Sequence, residues 1–331
     1  MMKLIPRPWR ALSVCMLALG AALPALAQAD YPQRPVKLIV PFAPGGSTDI
    51  VARLVADKMQ ATLGQPVVVD NRAGSGGAIG SEVVARAEPD GYTIGIGTVS
   101  TLAVNPILLK ASRVDPLKDF APITVLADVP SVFMVHPSFP GGRNFQQVVS
   151  ELRAKPGSYN MGSSGPGSIS HLIIEAMNVD LKIKLTHVPY RGMGPAMTAA
   201  LAGETQVVSD QYPSSAAHIK GGKLIPFAVG AHRRLEALPE VPTLKELGYA
   251  DLNELAITWF GIVAPAKTPA AVQKKLLDAA TAALRDPALV ARLKELGMEP
   301  AAGSPADFRK LIGSALERNR RIVQAANISA E

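Results

Sequence analysis

Two glycine-rich turns hold most of the residues in this sequence that could bind a ligand. The first turn lies between a β-branched run, Val36 to Val40, and a helical pattern that ends at Gly64. Amides in the first turn of a helix have no internal partner and form its electropositive end, and glycine lets an anion approach the backbone. The turn is predicted to hold a carboxylate or phosphate without a charged side chain, although a merely connecting turn is an equally open interpretation. Its candidate binding residues are Phe42, Ala43, Gly45, Gly46, Ser47, Thr48 and Asp49.

The second turn repeats this order of strand, glycine–hydroxyl turn and helix. It spans residues 162–168, and a helix is predicted over 169–177. His171 falls in the first turn of that helix, where a locally packed or capping histidine is the simpler alternative to a ligand contact. The candidate binding residues here are Ser163, Ser164, Gly165, Gly167, Ser168 and His171.

Further candidates follow predicted strands at their carboxyl ends, where α/β proteins bind ligands. Ser100 lies in a run of hydroxyl residues after the third strand, and Asp210 directly follows a later, short strand. Tyr190, Arg191 and Gly192 form another glycine turn, in which the arginine offers a fixed cation to an anion. An ordinary surface arginine, and turn and cap chemistry for Ser100, are the alternatives.

The familiar catalytic and cofactor motifs are missing from the sequence. No lysine follows the first glycines as in a P-loop, and Ile79 occupies a position where the dinucleotide fingerprint needs glycine. Pro166 breaks the G-x-S-x-G elbow, and the only cysteine is Cys15. Asp49 is expected to cap an N–H group rather than act as a catalytic acid. The residues therefore favour a binding protein over an enzyme, with no metal and no cofactor expected.

The predicted elements that position these turns form two α/β units. Three strand–helix repeats come first, with strands at 36–40, 66–69 and 92–97, of which the second is expected to be buried. Two long extended runs, 123–135 and 257–263, are interpreted as strands that cross from one unit to the other and back. The predicted fold is α/β, with two discontinuous lobes on two hinge-crossing strands and a ligand cleft between them. Lobe 1 is predicted to cover residues 30–130 and 255–331, and lobe 2 to cover 131–254.

The first 29 residues are predicted to be a cleavable secretory signal peptide. Lys3, Arg7 and Arg10 precede an apolar stretch over 11–23, and two A-x-A cleavage sites follow. The mature chain then has no cysteine, and localisation in a bacterial periplasm is expected. Removing the three cations lowers the formal net charge from +7 to +4, and the scattered basic residues do not predict nucleic-acid binding.

Seven ordered motifs extend over essentially the whole mature chain, at 40–49, 71–77, 91–93, 162–172, 187–192, 238–243 and 259–265. Together they resemble the motifs of the Bug family, the periplasmic solute receptors of tripartite tricarboxylate transporters. The resemblance implies a type II periplasmic binding protein, a two-lobed receptor that closes on a hinge. It also implies that the loops at 42–49 and 162–168 face each other across the cleft. There they would hold a ligand carboxylate through amides, hydroxyls and bridging waters.

By this resemblance, the protein captures a small carboxylate solute, either an organic acid or an acidic amino acid. Lobe closure would retain the solute until it is delivered to the membrane subunits of a tripartite tricarboxylate transporter. A monomer is expected. Met193 and Ser209 depart from the usual family pattern and are expected to alter the part of the pocket that contacts the far end of the ligand.

Two alternative functions accompany this interpretation. A ligand sensor that reports to a periplasmic signalling partner would have the same architecture. A secreted hydrolase would need Ser164 or Asp49 to act together with His171.

Overall fold

Two mixed β-sheets organise the computed structural model of this protein, which describes residues 31–110, 112–325 and 328. The predicted signal peptide, residues 1–29, lies outside these residues. The strands are β1 (Val36–Val40), β2 (Val67–Asn71), β3 (Thr93–Thr98), β4 (Phe120–Val129), β5 (Ser131–Val135), β6 (Tyr159–Ser163), β7 (Leu185–Pro189), β8 (Val207–Gln211), β9 (Ile225–Gly230), β10 (Thr258–Pro265) and β11 (Glu299–Pro300).

Helices cover both sheets, and none in the described part of the chain is long and apolar enough to cross a membrane. A 3₁₀ turn (Ser75–Gly77) and a π-helix (Ser100–Val104) accompany the α-helices. The α-helices are α1 (Ser47–Leu63), α2 (Ala78–Ala85), α3 (Asn105–Leu108), α4 (Phe145–Ala154), α5 (Ile169–Asp180), α6 (Met193–Leu201), α7 (Tyr212–Lys220), α8 (Ala250–Ala256), α9 (Ala270–Arg285), α10 (Pro287–Glu295) and α11 (Pro305–Ala325).

The first sheet has the strand order β11-β4-β10-β3-β1-β2. Strand β1 runs parallel to β2 and β3, as the predicted strand–helix repeats require. Strand β10 runs antiparallel to β3 and β4, between which it lies. Helix α1 packs against α9 and buries an apolar face that includes Val51, Val55 and Met59. This sheet and its helices are called the first lobe below.

The second sheet has the strand order β7-β6-β8-β5-β9. Strand β6 runs parallel to β7 and β8, whereas β5 runs antiparallel to β8 and β9. Helix α5 follows β6 and buries Leu172, Ile173 and Met177. This sheet and its helices form the second lobe. In each lobe a helix therefore begins close to the carboxyl end of a strand, α1 after β1 and α5 after β6.

The second strand of the chain differs from its prediction. The run at 66–69 was expected to be a buried strand, and this expectation is wrong. Strand β2 lies at the edge of its sheet and pairs only with β1, so Val68 remains 51% exposed. The apolar run therefore reflects the preference of β-branched residues for extended structure rather than burial.

The chain passes between the sheets at two adjacent points. Strands β4 and β5 belong to different sheets and are separated only by Pro130, and the return occurs at Ile257, between α8 and β10. Two hydrogen bonds join the crossings: the Ser131 hydroxyl donates to the Ala256 carbonyl at 2.7 Å, and the Thr258 hydroxyl donates to the Val129 carbonyl at 3.0 Å. The interpretation of the run at 123–135 as a crossing is confirmed, whereas the lobe boundaries at residues 130 and 255 remain a prediction.

Candidate functional site

A cavity of about 30 Å³ lies between the two sheets, and residues of both lobes form its wall. Seven of the predicted binding residues line it. These are Phe42, Gly46, Ser47, Thr48, Ser100, Ser164 and Asp210. Among the described residues, the wall contains many hydroxyl groups but no lysine, arginine or histidine. An anion in this cavity would therefore be held by dipoles and hydrogen bonds rather than by a cationic side chain.

The first turns of two helices, one from each lobe, contribute to this wall. In α1 the amides of Asp49 and Ile50 both donate to the Gly46 carbonyl. The amides of Ser47 and Thr48 have no hydrogen-bond partner among the described residues, and the same is true of the Ser170 amide in α5. Unpartnered amides at a helix start form an electropositive site. Both lobes therefore present groups suited to an anion.

Asp49 supports the first turn from behind and does not line the cavity. Its carboxylate accepts hydrogen bonds from the Gly45 amide at 3.2 Å and from Asn71 Nδ2 at 3.0 Å, and it pairs with Arg53 at 2.9 Å. Burial raises the pKa of Asp49, but the hydrogen bonds from Arg53, Asn71 and Gly45 outweigh that effect and lower it. The carboxylate is therefore ionised, and its hydrogen bonds are made with Gly45, Asn71 and Arg53. The bond from the Gly45 amide agrees with the predicted capping of an N–H group.

The second turn is held in place by its own side chains. Ser168 caps α5, accepting from the His171 amide at 3.2 Å and donating to the Gly165 carbonyl at 2.6 Å. The Gly165 amide donates to the Ser163 hydroxyl at 3.1 Å, and the Gly167 amide donates to Nδ1 of His171 at 3.3 Å. These predicted binding residues surround the cavity wall and position Ser164, which is part of it.

His171 is a buried support of the second turn. Its ring stacks on His187, with centroids 4.2 Å apart, and the second histidine bonds the Ser163 hydroxyl. Burial, with a smaller contribution from His187, lowers the pKa of His171 to about 4. The ring is therefore neutral near pH 7, and its Nδ1 accepts the Gly167 amide. This matches the simpler of the two interpretations of His171.

The third glycine turn lies beside the cavity, where it contacts the first turn. A Cβ atom added to Gly192 would lie 3.0 Å from the Ala43 amide nitrogen of the opposite lobe. Arg191 is exposed, and Tyr190 is half-buried. Neither of them lines the cavity. The turn therefore seals one edge of the cleft and brings Met193, the residue after it, into the wall.

Asp210 links the second lobe to the first through a short hydrogen-bond network. Its carboxyl accepts from the Gln211 amide at 2.7 Å and from the Ser214 hydroxyl. Ser214 contacts the Ser47 hydroxyl at 2.7 Å, and its amide donates to the same oxygen at 3.1 Å. Burial raises the pKa of Asp210 to about 7, although the bonds from Ser214 and Gln211 act in the opposite direction. The acid is therefore partly protonated at neutral pH.

The rest of the wall was not among the predicted site residues. It consists of Thr98, Val99, Ser131, Ile169, Ser170, Ile173, Met193, Ser209, Gln211, Thr258 and Phe260. Thr258 and Phe260 reach the site because β10 pairs with β3 and β4, with Phe260 opposite Thr98. No local motif marks such a pairing. Met193 and Ser209 had a signal, since both positions depart from the family pattern.

The residues proposed for a hydrolase do not form a catalytic pair. The Ser164 hydroxyl contacts the Ser170 hydroxyl at 3.0 Å. His171 is engaged with the Gly167 amide and lies 3.8 Å from Glu175, while Asp49 is paired with Arg53. A serine hydrolase needs its nucleophile within hydrogen-bond reach of its base. The geometry of these residues is that of a binding cleft.

Comparison with known proteins identifies the family. A family model described as the tripartite tricarboxylate transporter family receptor matches residues 51–328. The chain belongs to this receptor family. The resemblance to the Bug family is confirmed, because the solved structure of the periplasmic binding protein BugD is similar to this receptor. The TM-score is 0.86 and the identity 34%, over 90% of this chain and 99% of BugD.

Two similar structures contain ligands. One is Rpa4515 of R. palustris with adipate, which has a TM-score of 0.86 and 33% identity over 90% of this receptor and 99% of that chain. The other is MatC of Rhodopseudomonas palustris with bound malate, with a TM-score of 0.84 and 31% identity over 88% and 100% of the two chains. The predicted fold class, a two-lobed α/β periplasmic binding protein, is confirmed. The family is one of solute-binding receptors rather than of enzymes.

Proposed function

We propose that this receptor captures a small organic carboxylate in the cavity between its lobes and delivers it to the membrane subunits of a tripartite transporter. The observation that carries the proposal is the meeting of two helix starts, one from each lobe, around a cavity rich in hydroxyl groups. The unpartnered amides of Ser47, Thr48 and Ser170 are suited to an anion. Among the described residues, no lysine or arginine side chain lines the cavity.

The expected affinity follows from the number of these groups. A hydrogen bond to a charged group contributes roughly 1.5–3 kcal/mol net. Three such bonds give roughly 4.5–9 kcal/mol before the cost of ordering is subtracted. Hydroxyl donors and burial of the carbon chain are expected to offset that cost and give micromolar affinity, about −8 kcal/mol. A ligand that contacts both lobes only when they are closed also shifts the hinge toward closure.

The ligands of similar receptors support the proposed class of solute. Adipate and malate, present in the structures of Rpa4515 and MatC, both carry two carboxylates. The apolar part of the wall, which includes Phe42, Met193 and Phe260, is available to contact the carbon chain of an organic acid. The protein is proposed to act as a monomer in the periplasm after cleavage of residues 1–29.

Binding of organic acids tests the proposal directly. Malate, adipate and a panel of other mono- and dicarboxylates would be screened by thermal shift, and positive acids would be measured by calorimetry. We expect at least one acid to bind with micromolar affinity and its neutral amide to bind at least roughly tenfold more weakly, because the amide lacks the charge that the helix starts favour. An amide that binds as tightly as its acid would contradict the proposal.

A further inference from the structure

The two lobes meet in backbone-to-backbone contact at the edge of the cleft. A Cβ atom added to Gly76 of the first lobe would lie 2.3 Å from the Pro166 carbonyl oxygen and 2.8 Å from the Ser168 amide nitrogen. Gly76 also has a φ of +58°, which side chains rarely adopt. The contact is therefore possible only for glycine. It joins the two lobes across the cleft, and the arrangement with such contacts is called closed below.

Asn105 joins the two loops at this contact. Its Nδ2 donates to the Gly167 carbonyl of the second lobe at 2.7 Å and to the Gly76 carbonyl of its own lobe at 3.3 Å. The side chain is almost completely buried, and its Oδ1 has no hydrogen-bond partner among the described residues. The amide cannot be turned around, because its oxygen would then face two carbonyl oxygens. Asn105 therefore acts at this contact through the two N–H donors of its side-chain amide.

The local fold brings Asn105 to this position. The π-helix Ser100–Val104 ends immediately before it, and Asn319 of α11 holds that segment by donating to the Ala103 carbonyl at 2.9 Å. The hydroxyl of Ser100, in the same segment, accepts the Ile169 amide of the second lobe at 2.9 Å. Single π-helical turns are often found at functional sites. Ser100 and Asn105 therefore each supply one hydrogen bond across the cleft.

We propose that Asn105 is a positioning residue for ligand capture, which fastens the closed arrangement by bridging the glycine loops of the two lobes. It does so without contacting the ligand, because it does not line the cavity. The inference rests on the proposed function only in that capture requires closure. Asn105 makes closure more favourable, and a receptor without its two donors spends more time open.

A disulfide trap measures closure without any ligand. The Ser47 and Ser214 hydroxyl oxygens lie 2.7 Å apart in the closed arrangement, on opposite lobes. Replacing both by cysteine, in the full-length chain with Cys15→Ser, leaves this pair as the only thiols. Their crosslinked fraction at equilibrium in a glutathione buffer reports how often the lobes close. The Ser47 amide, which is part of the proposed binding site, is unchanged by this substitution.

The expected result is a graded loss of crosslinking. Asn105→Ala removes both donors and is expected to lower the ratio of crosslinked to open protein roughly tenfold. Asn105→Asp keeps the shape of the side chain but sets an oxygen against two carbonyls, so a larger decrease is expected. The matched control is Asn178→Ala, because Asn178 makes its two hydrogen bonds to Leu185 within the second lobe.

The outcomes separate closure from general stability. Thermal melting of each variant identifies loss of folding, and a purely structural role for Asn105 would lower the melting temperature without changing the crosslinked fraction. The parent here is the protein that carries only Ser47→Cys, Ser214→Cys and Cys15→Ser. The proposal is overturned if the parent does not crosslink or if both Asn105 variants crosslink as well as the parent. It is also overturned if Asn178→Ala crosslinks as poorly as the Asn105 variants. Failure of every carboxylate to bind would instead overturn the proposed function, since the trap uses none.

Discussion

Replacement of Gly194 by alanine should separate ligand capture from stability. Gly194 is the second residue of α6, and its backbone does not adopt a positive φ. A Cβ atom there would lie 2.5 Å from the Pro44 carbonyl oxygen of the opposite lobe. The clash therefore exists only when the lobes are closed. In the open receptor the alanine is free of this contact and is a better helix residue than glycine.

The structure sets the size of the expected effect. Ordinary Cβ contacts begin near 3.4 Å, so the two loops would have to separate by 0.9 Å, the difference between 3.4 and 2.5 Å. Overpacking by one carbon typically costs about 1–3 kcal/mol, which corresponds to a roughly 5-fold to 160-fold loss of affinity. Stability of the free protein should stay the same or rise, by at most about 1 kcal/mol.

Calorimetry with the tightest-binding acid of the panel, together with thermal melting of the free protein, provides the assay. The control is Gly313→Ala, also within a helix, where an added Cβ meets no atom within 4 Å. We expect that control to bind like the parent. If Gly194→Ala also binds like the parent, the closed contact between α6 and the first turn is not part of the ligand-bound state, and the reasoning is refuted.

Two other substitutions test the site. Gly46→Leu should abolish binding of the same acid in calorimetry while the protein still melts cooperatively. A Cβ added at Gly46 would already lie 3.8 Å from Met193 Cβ of the opposite lobe, so the rest of a leucine side chain would crowd the contact between the lobes beside the cavity. Retained affinity would exclude the role given to the first turn. Asp210→Asn should change how stability depends on pH. The pKa of Asp210 in the folded protein, about 7, lies above its value in the unfolded chain, about 3.9. Its favourable contribution to the stability of the fold is therefore fully present below about pH 4 and is lost as the pH rises to about 7. Unfolding in urea at pH 4 to 8 should therefore show the variant gaining stability relative to the parent as the pH rises, and parallel curves would refute the assignment.

Local sequence patterns correctly predicted those helix ends that are set by neighbouring residues. Helix α5 begins at Ile169, as predicted, because the turn before it and its Ser168 cap are local signals, although it ends at Asp180 rather than at residue 177. Helix α1 likewise ends at Gly64, which adopts the left-handed conformation. The burial of β2 was predicted wrongly because its place at the sheet edge depends on which strands pair, and pairing is set by tertiary structure.

The site was predicted in the same uneven way. Gly46, Ser47 and Thr48, which line the cavity, were among the predicted residues because a glycine turn before a helix start is suited to an anion. Such a signal does not distinguish the side that faces the ligand from the side that supports it, so Asp49 and His171 were grouped with residues that line the cavity. The contributions of β10 and of Asn105 depend on contacts between distant parts of the chain.

The paired crossings behind the cleft determine how the two halves of the receptor can move. Because the bonds at Ser131 and Thr258 tie the crossings together on either side of Pro130 and Ile257, torsional freedom is concentrated in two short, neighbouring pieces of backbone. A body attached to another at two such points swings about the line between them and resists twisting. We therefore expect the glycine loops to travel along one arc, so that a longer solute would stop the lobes at a wider angle.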